Sequence, residues 1–251
     1  EEGDLPAALH EAIFERAVHG ANGVEHDMLH SYGLPEGEFM TIYPVPGPEN
    51  DTRRGRRRSN FVWYHPLDEA GLADFCTDAG GRCHGTQIPP HLVRPDVTKR
   101  MSAAAHALFA PQIAQLVDLA KQPFFQAIFE MSSASVVQGR VALLGDAAFV
   151  ARPHVGMGTT KAALDARYLA EALSACGGDI DGALERYDVA CRRFGERVVA
   201  RGRWLGAHLE AQVRKPRAER NAHERSHMPF DVLFREVGAA LRDIPDLAEL
   251  T

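Results

Sequence analysis

The sequence predicts a mixed α+β and α/β protein: an antiparallel sheet with covering helices, then part of an open α/β layer, then carboxyl-terminal helices. Three observations predict it. Residues near 38–45 and 59–65 alternate apolar and polar side chains, with a basic stretch between them, as a half-buried antiparallel pair does. Val141 to Leu144 is a short apolar run ended by Gly145-Asp146, suited to a strand buried on both faces whose carboxyl edge meets a crevice. Apolar residues then recur at helical spacing, first Ala162, Ala163, Ala166, Leu169 and Leu173, later Ala183, Leu184, Tyr187, Cys191, Phe194 and Val198. The chain divides on this basis into 1–134, 135–175 and 176–251.

The elements follow in order. Leu5, Leu9, Ile13, Phe14 and Ala17 predict an opening helix over 5–19, which Gly20, Gly23 and Gly33 break. In the strand pair, Met40, Ile42, Phe61 and Trp63 share a face. Asp96 is placed to cap a helix through Met101, Ala105 and Leu108, and Pro111 starts another through Ile113, Leu116 and Leu119. Phe125 to Met131 alternates as a further strand. After Asp146, Gly156 to Gly158 let the backbone approach a ligand, and Thr159 or Thr160 caps the helix that follows. Free amides at that helix start favour an electron-rich partner. A long helix runs from Ile180 to near Leu209, a polar connection covers 213–227, and an amphipathic helix spans Val232 to Leu241.

Bulk properties exclude other classes. With 251 residues, 45% hydrophobic and 25% charged, the chain can bury a full core. The formal charge of −6 argues against nucleic acid as a partner, so Arg53-Arg54-Gly55-Arg56-Arg57-Arg58 reads as a solvated hairpin loop. No apolar run approaches the roughly 18 residues of a membrane span, and no signal-peptide core is visible. Cys76, Cys83, Cys176 and Cys191 form no paired framework, which points to a reducing, cytoplasmic setting.

Gly145, Asp146, Ala147 and Ala148, then Pro153, Gly156 and Gly158, then Ala162, Asp165 and Ala166 follow the order Gly-Asp-Ala-Ala, Pro-x-x-Gly-x-Gly, Ala-x-x-Asp-Ala. The segment resembles the second flavin-binding motif of the single-component FAD-dependent aromatic hydroxylases. Phe149, Arg152 and Thr160 depart from that family's commonest pattern of His, Pro and Asn. The Arg152-Pro153-His154 variant is similar to the 2,6-dihydroxypyridine 3-monooxygenase branch. Ile42-Tyr43-Pro44-Val45-Pro46-Gly47 and Asn60-Phe61-Val62-Trp63-Tyr64 resemble two neighbouring strands of that branch's substrate domain. The family's opening Gly-x-Gly-x-x-Gly motif and its middle Asp-Gly pair have no counterpart, since Asp181-Gly182 lies beyond the flavin segment. The expectation is a carboxyl-terminal portion of a hydroxylase, with the amino-terminal FAD-binding half supplied in cis or in trans and a homodimer as a further option.

The resemblance implies a substrate-binding domain over 1–134, the second flavin motif of a Rossmann-like FAD-binding domain over 135–175, and a helical region over 176–251. It implies hydroxylation of a small hydroxylated aromatic or heteroaromatic ring with NAD(P)H and O2, through a flavin C4a-hydroperoxide. Gly145, Asp146, Pro153, Gly156, Met157, Gly158 and Thr159 form the implied cofactor set, with Asp146 accepting from a ribityl hydroxyl and Pro153 packed near the ring. His154 is the candidate base that activates the substrate, and Tyr43, Trp63, His65 and His154 are candidate substrate contacts. Plainer roles stand beside these: a turn aspartate at 146, a loop histidine at 154, sheet-packing aromatics at 63 and 64. Two further alternatives remain. The chain is a non-catalytic remnant of a flavin fold that binds a ligand or partner, or His223-Glu224-Arg225-Ser226-His227 is a zinc-hydrolase H-E-x-x-H, against which its polar surroundings and Pro229 argue. No metal is otherwise expected.

Overall fold

A computed structural model describes residues 29–31, 38–53, 56–209 and 244–248. The helix expected over 5–19, the polar connection with its His-Glu-Arg-Ser-His segment, and the helix expected over 232–241 lie outside the described residues. The chain separates into two compact units, Glu1–Ala127 and Ile128–Thr251.

In the first unit, β1 (Leu29–Ser31), β2 (Phe39–Val45) and β3 (Arg58–Tyr64) form an antiparallel sheet in that order. Cross-strand pairing of Met40 with Trp63 and of Ile42 with Phe61 puts these residues on one face. Met40 and Ile42 are fully buried there against Ala105, Phe109, Ala114, Leu116 and Val117. Alternation thus located both strands to within a residue, because one face is covered and the other is not. The β2–β3 loop carries the basic run, and in it Arg53 grips the Asp51 carboxylate. A Cβ at Gly47 would lie 1.9 Å from the Arg56 carbonyl oxygen, so this position admits no side chain.

The covering helices are α1 (Glu69–Phe75), α2 (Pro95–Leu108) and α3 (Pro111–Asp118). Asp68 caps α1 by accepting from the Gly71 amide at 2.7 Å. Asp96 does not cap α2. Pro95 takes the first helical position, where its missing N–H costs nothing, which moves the cap to Arg94 and places Asp96 inside the first turn. Asp118 accepts from Ser102 and pairs with His106, tying α3 to α2.

In the second unit, β4 (Met131–Ser132) pairs with β7 (Phe149–Val150), and β5 (Val137–Gln138) with β6 (Val141–Ala142), all antiparallel. Two expectations are corrected here. Phe125 to Met131 contributes only Met131 to a strand, apart from an isolated bridge at Gln126. The strand expected over Val141 to Leu144 shrinks to Val141–Ala142, and Val141 is 64% exposed. A strand buried on both faces needs strands beside it and layers above and below, and among the described residues β6 pairs with β5 alone.

The mass of this unit is helical. α4 (Gly158–Ala175) packs on α5 (Ile180–Leu209), whose 30 residues extend about 45 Å at 1.5 Å each. One side of α5 buries Ala183, Tyr187 and Cys191 against Ala148, Phe149 and Ala172. Further along, Phe194, Val198 and Leu205 meet Val155, Met157, Leu164 and Leu247, the last from α6 (Pro245–Ala248). A Cβ at Gly195 would come 2.4 Å from the Phe149 ring, and one at Gly202 would come 3.2 Å from the Arg152 backbone, so segment 149–152 lies directly on α5. Among the described residues no helix is long and apolar enough to cross a membrane.

Candidate functional site

The Gly-Asp turn is built by its neighbours. Gly145 has φ +60°, a left-handed conformation that glycine adopts without strain, and it opens a single 3-10 turn through Ala147. Both polar groups of its backbone are held by one turn of α4. The Gly145 amide donates to Asp165 Oδ2 at 2.9 Å, and Lys161 Nζ donates to the Gly145 carbonyl at 2.9 Å and to Asp165 Oδ2 at 2.5 Å. The Lys161 and Asp165 side chains are 1% and 0% exposed. Two residues earlier, the Tyr187 hydroxyl donates to the Leu143 carbonyl at 2.5 Å. Cys191 Sγ donates to Asp165 Oδ1 at 3.3 Å, and burial pushes its thiol up to about 11. Burial also raises the Tyr187 phenol, which keeps it a donor. Asp146 follows this clamp and is exposed.

Phe149, standing where the hydroxylases commonly have His, is fully buried, and the Lys161 ammonium lies 5.2 Å from its ring centroid. Its ring is an apolar floor with its electron-rich face toward a cation.

The loop that follows is anchored by charge. Arg152 Nε donates to Glu130 Oε2 at 2.9 Å and Arg203 Nε to Glu130 Oε1 at 2.8 Å, so one carboxylate joins the loop to α5. These two guanidinium groups hold the Glu130 carboxyl below its ordinary range against the opposing effect of burial. Pro153 to Val155 form a second 3-10 turn, and Gly156 leaves it at φ +63°. Pro153 is exposed, whereas His154 is 4% exposed. Burial, with the charge of Arg152, pushes the His154 imidazole down to about 3.

The helix start differs from expectation. Thr159 and Thr160 lie inside the first turn of α4, and the cap position falls to Met157, which makes no side-chain capping bond. Open space surrounds the positions where Cβ atoms of Gly156 and Gly158 would stand, with no heavy atom within 4 Å. The backbone edge at Gly156, Gly158 and Thr159 is thus accessible, with the exposed Asp146 in the same unit. This arrangement fits the pyrimidine edge and sugar chain of a flavin: donors for an electron-rich ring, a carboxylate for hydroxyl groups.

The other candidates belong to the first unit. Tyr43 is half-buried on β2, paired with Asn60. Trp63 donates from its indole nitrogen to Glu38 Oε2 at 3.0 Å and meets Phe109 edge-on at 4.9 Å. His65 Nδ1 lies 3.1 Å from the same Glu38 oxygen and edge-on to Trp63 at 5.6 Å. Glu38, 8% exposed, therefore organises Trp63 and His65, and it was not singled out from the sequence. Lys161, Tyr187, Cys191 and Glu130 were missed as well. The one available signal was the four-residue spacing of Lys161 and Asp165. Among the described residues no group of His, Cys, Asp and Glu could hold a metal ion.

An FAD binding domain-like family matches residues 13–130, and an FAD binding domain family matches residues 89–202. The chain is 30% identical over 181 residues to the 2,6-dihydroxypyridine 3-monooxygenase of Paenarthrobacter nicotinovorans, covering 72% of this chain and 44% of that protein. The solved 2,6-dihydroxypyridine-3-hydroxylase of Arthrobacter nicotinovorans superposes with a TM-score of 0.66 at 28% identity, over 82% of this chain and 48% of that one. A single-residue variant of HpxO of Klebsiella pneumoniae, crystallised with FAD, shares the fold at a TM-score of 0.51 and 21% identity, over 71% of this chain and 40% of that one. The chain thus spans a little under half the length of the relatives it matches. On the flavin-type motif, the two domain matches and this likeness, the chain carries FAD binding domain sequence and is similar to the FAD-dependent aromatic hydroxylases.

Proposed function

We propose that the chain forms part of an FAD-dependent monooxygenase that hydroxylates a small, hydroxylated aromatic or heteroaromatic ring of dihydroxypyridine type, using NAD(P)H and O2. The observation that carries this reading is the exposed Asp146 on a rigid turn, in one unit with the open, uncapped start of α4. The similarity to a named 2,6-dihydroxypyridine 3-monooxygenase supports the substrate class. FAD supplies the redox chemistry when bound.

The residues contribute binding and orientation. Asp146 accepts hydrogen bonds from the ribityl hydroxyls. The amides at Gly158 and Thr159 donate to the pyrimidine edge, where they favour the negative charge of the reduced ring, while the Gly156 amide closes the preceding turn on the Pro153 carbonyl at 2.9 Å. Met157, buried, fixes the turn between them, and Pro153 stiffens the loop beside the ring. His154, nominated as a base, is neutral throughout the physiological range, and a group with a pKa near 3 removes a proton poorly at neutral pH. Its role in this reading is to hydrogen-bond while neutral. Tyr43, Trp63 and His65 are the proposed substrate contacts of the first unit. The adenosine-binding half is supplied in cis or in trans, since the family's pyrophosphate-binding motif has no counterpart in these 251 residues.

The test is an FAD titration of the chain, alone and with an upstream half supplied, followed by NAD(P)H oxidation assays. The reading expects a flavin spectrum, oxygen-dependent NAD(P)H oxidation stimulated by a dihydroxypyridine, and flavin affinity at least about tenfold weaker in Asp146→Ala, the effect of losing a charge-assisted hydrogen bond. Absence of flavin binding under both conditions would show a non-catalytic binding module instead.

A further inference from the structure

Three buried side chains hold the backbone on the amino side of Asp146: Tyr187 at the Leu143 carbonyl, Asp165 at the Gly145 amide, and Lys161 at the Gly145 carbonyl. Lys161 and Asp165 form an ion pair with essentially no exposure. Such a pair is a poor source of stability, because desolvating two charges offsets most of their attraction, and apolar residues of similar volume often serve as well. What apolar residues cannot do is satisfy a peptide group. Here the pair accepts from the N–H and donates to the C=O of one residue, Gly145, whose left-handed backbone would otherwise be free to swing. The remaining Asp165 oxygen takes the Cys191 thiol, and the ammonium rests by the Phe149 ring, so both charged groups are fixed from further sides.

We propose that Lys161 and Asp165 are positioning residues of the flavin site, locking the Gly145 peptide so that the Asp146 carboxylate is pre-set for the ribityl hydroxyls. This rests on the flavin reading above. The pair adds no net charge beneath Asp146, so it orients the carboxylate without competing for it. Pre-organisation of this kind acts through affinity, since a carboxylate already in place loses less freedom on binding.

The test uses Lys161→Met/Asp165→Leu, which removes both charges together. Lys161→Met alone strands a buried carboxylate and risks the fold. Three quantities are read in the full chain, with the upstream half present for flavin work: thermal midpoint, amide hydrogen exchange in the peptide spanning 141–148, and FAD affinity. The double variant should melt within a few degrees of the wild type, yet exchange faster at Gly145 and bind FAD roughly tenfold more weakly, the loss of about one oriented hydrogen bond. In an Asp146→Ala background the same double substitution should change FAD affinity little, because a route through Asp146 is already closed. A folded double variant with wild-type FAD affinity overturns the proposal, as does an equal loss of affinity in the Asp146→Ala background. Wild-type affinity in Asp146→Ala alone overturns the role given to Asp146 and the positioning role with it, whereas absence of FAD binding by the wild type overturns the flavin reading itself. The exchange at Gly145 reports the clamp independently of flavin.

Discussion

At the scale of single residues, burial decides what His154 can do. Its imidazole falls from an ordinary 6.5 to about 3, so the folded protein keeps it neutral where an unfolded chain would protonate it. Above pH 6.5 it is neutral in both states and its linkage contribution to stability is fully retained. As the pH falls from 6.5 toward 3 the unfolded state binds the proton first, and stability drops by about 1.4 kcal/mol per unit. His154→Phe should flatten this slope, measured as urea unfolding free energy at pH 7.5, 6 and 5. An unchanged slope would place the titration elsewhere. The sequence nominated Asp146, Pro153, Gly156 and Gly158 because acid, ring and glycines at these offsets resemble the second flavin-binding motif of the hydroxylases. It nominated His154 as a base because an imidazole ordinarily titrates near neutrality, and nothing local announces that the fold leaves it only 4% exposed. Lys161 was illegible for the opposite reason: a lysine in a helix is solvated by default, and its four-residue offset from Asp165 is as common on exposed faces.

At the scale of elements, α5 sets the geometry of the second unit. Gly195→Ala would place a methyl against the buried Phe149 ring, which has no room to retreat, and should destabilise the protein by about 1–3 kcal/mol in urea unfolding. Tyr187→Phe removes the donor to the Leu143 carbonyl and should cost about 1–3 kcal/mol, with faster amide exchange in residues 141–148. Wild-type stability in either would mean that this packing adjusts freely. The long helices and the β2–β3 pair were legible because a single covered face imposes a period on many residues. Shorter elements were not. Two-residue strands such as β6 carry no period, and the start of α2 moved because Pro95 competes with Asp96 for the first turn. The Gly47 contact is set by a backbone nine residues away, which no local pattern encodes.

At the scale of the whole chain, each unit carries one of the two tryptophans, Trp63 in the first and Trp204 in the second. Trp63→Phe therefore leaves Trp204, partly buried against Phe194 and its neighbours, as the fluorescent reporter of the unit that holds the flavin motif. With the upstream half supplied, saturating FAD at 100 times its dissociation constant should stabilise that unit by about 2.7 kcal/mol, read as a rise in the Trp204 midpoint. A midpoint indifferent to FAD would contradict flavin binding in this unit. Gly202 has a broader consequence. Its missing side chain leaves the berth in which the Arg152 backbone sits, so the height of the Pro153 turn above α5 is fixed by a position fifty residues downstream. A side chain at position 202 would press on the Arg152 backbone and ask it to give by a few tenths of an ångström, so the loop and the helix beneath it change together rather than singly.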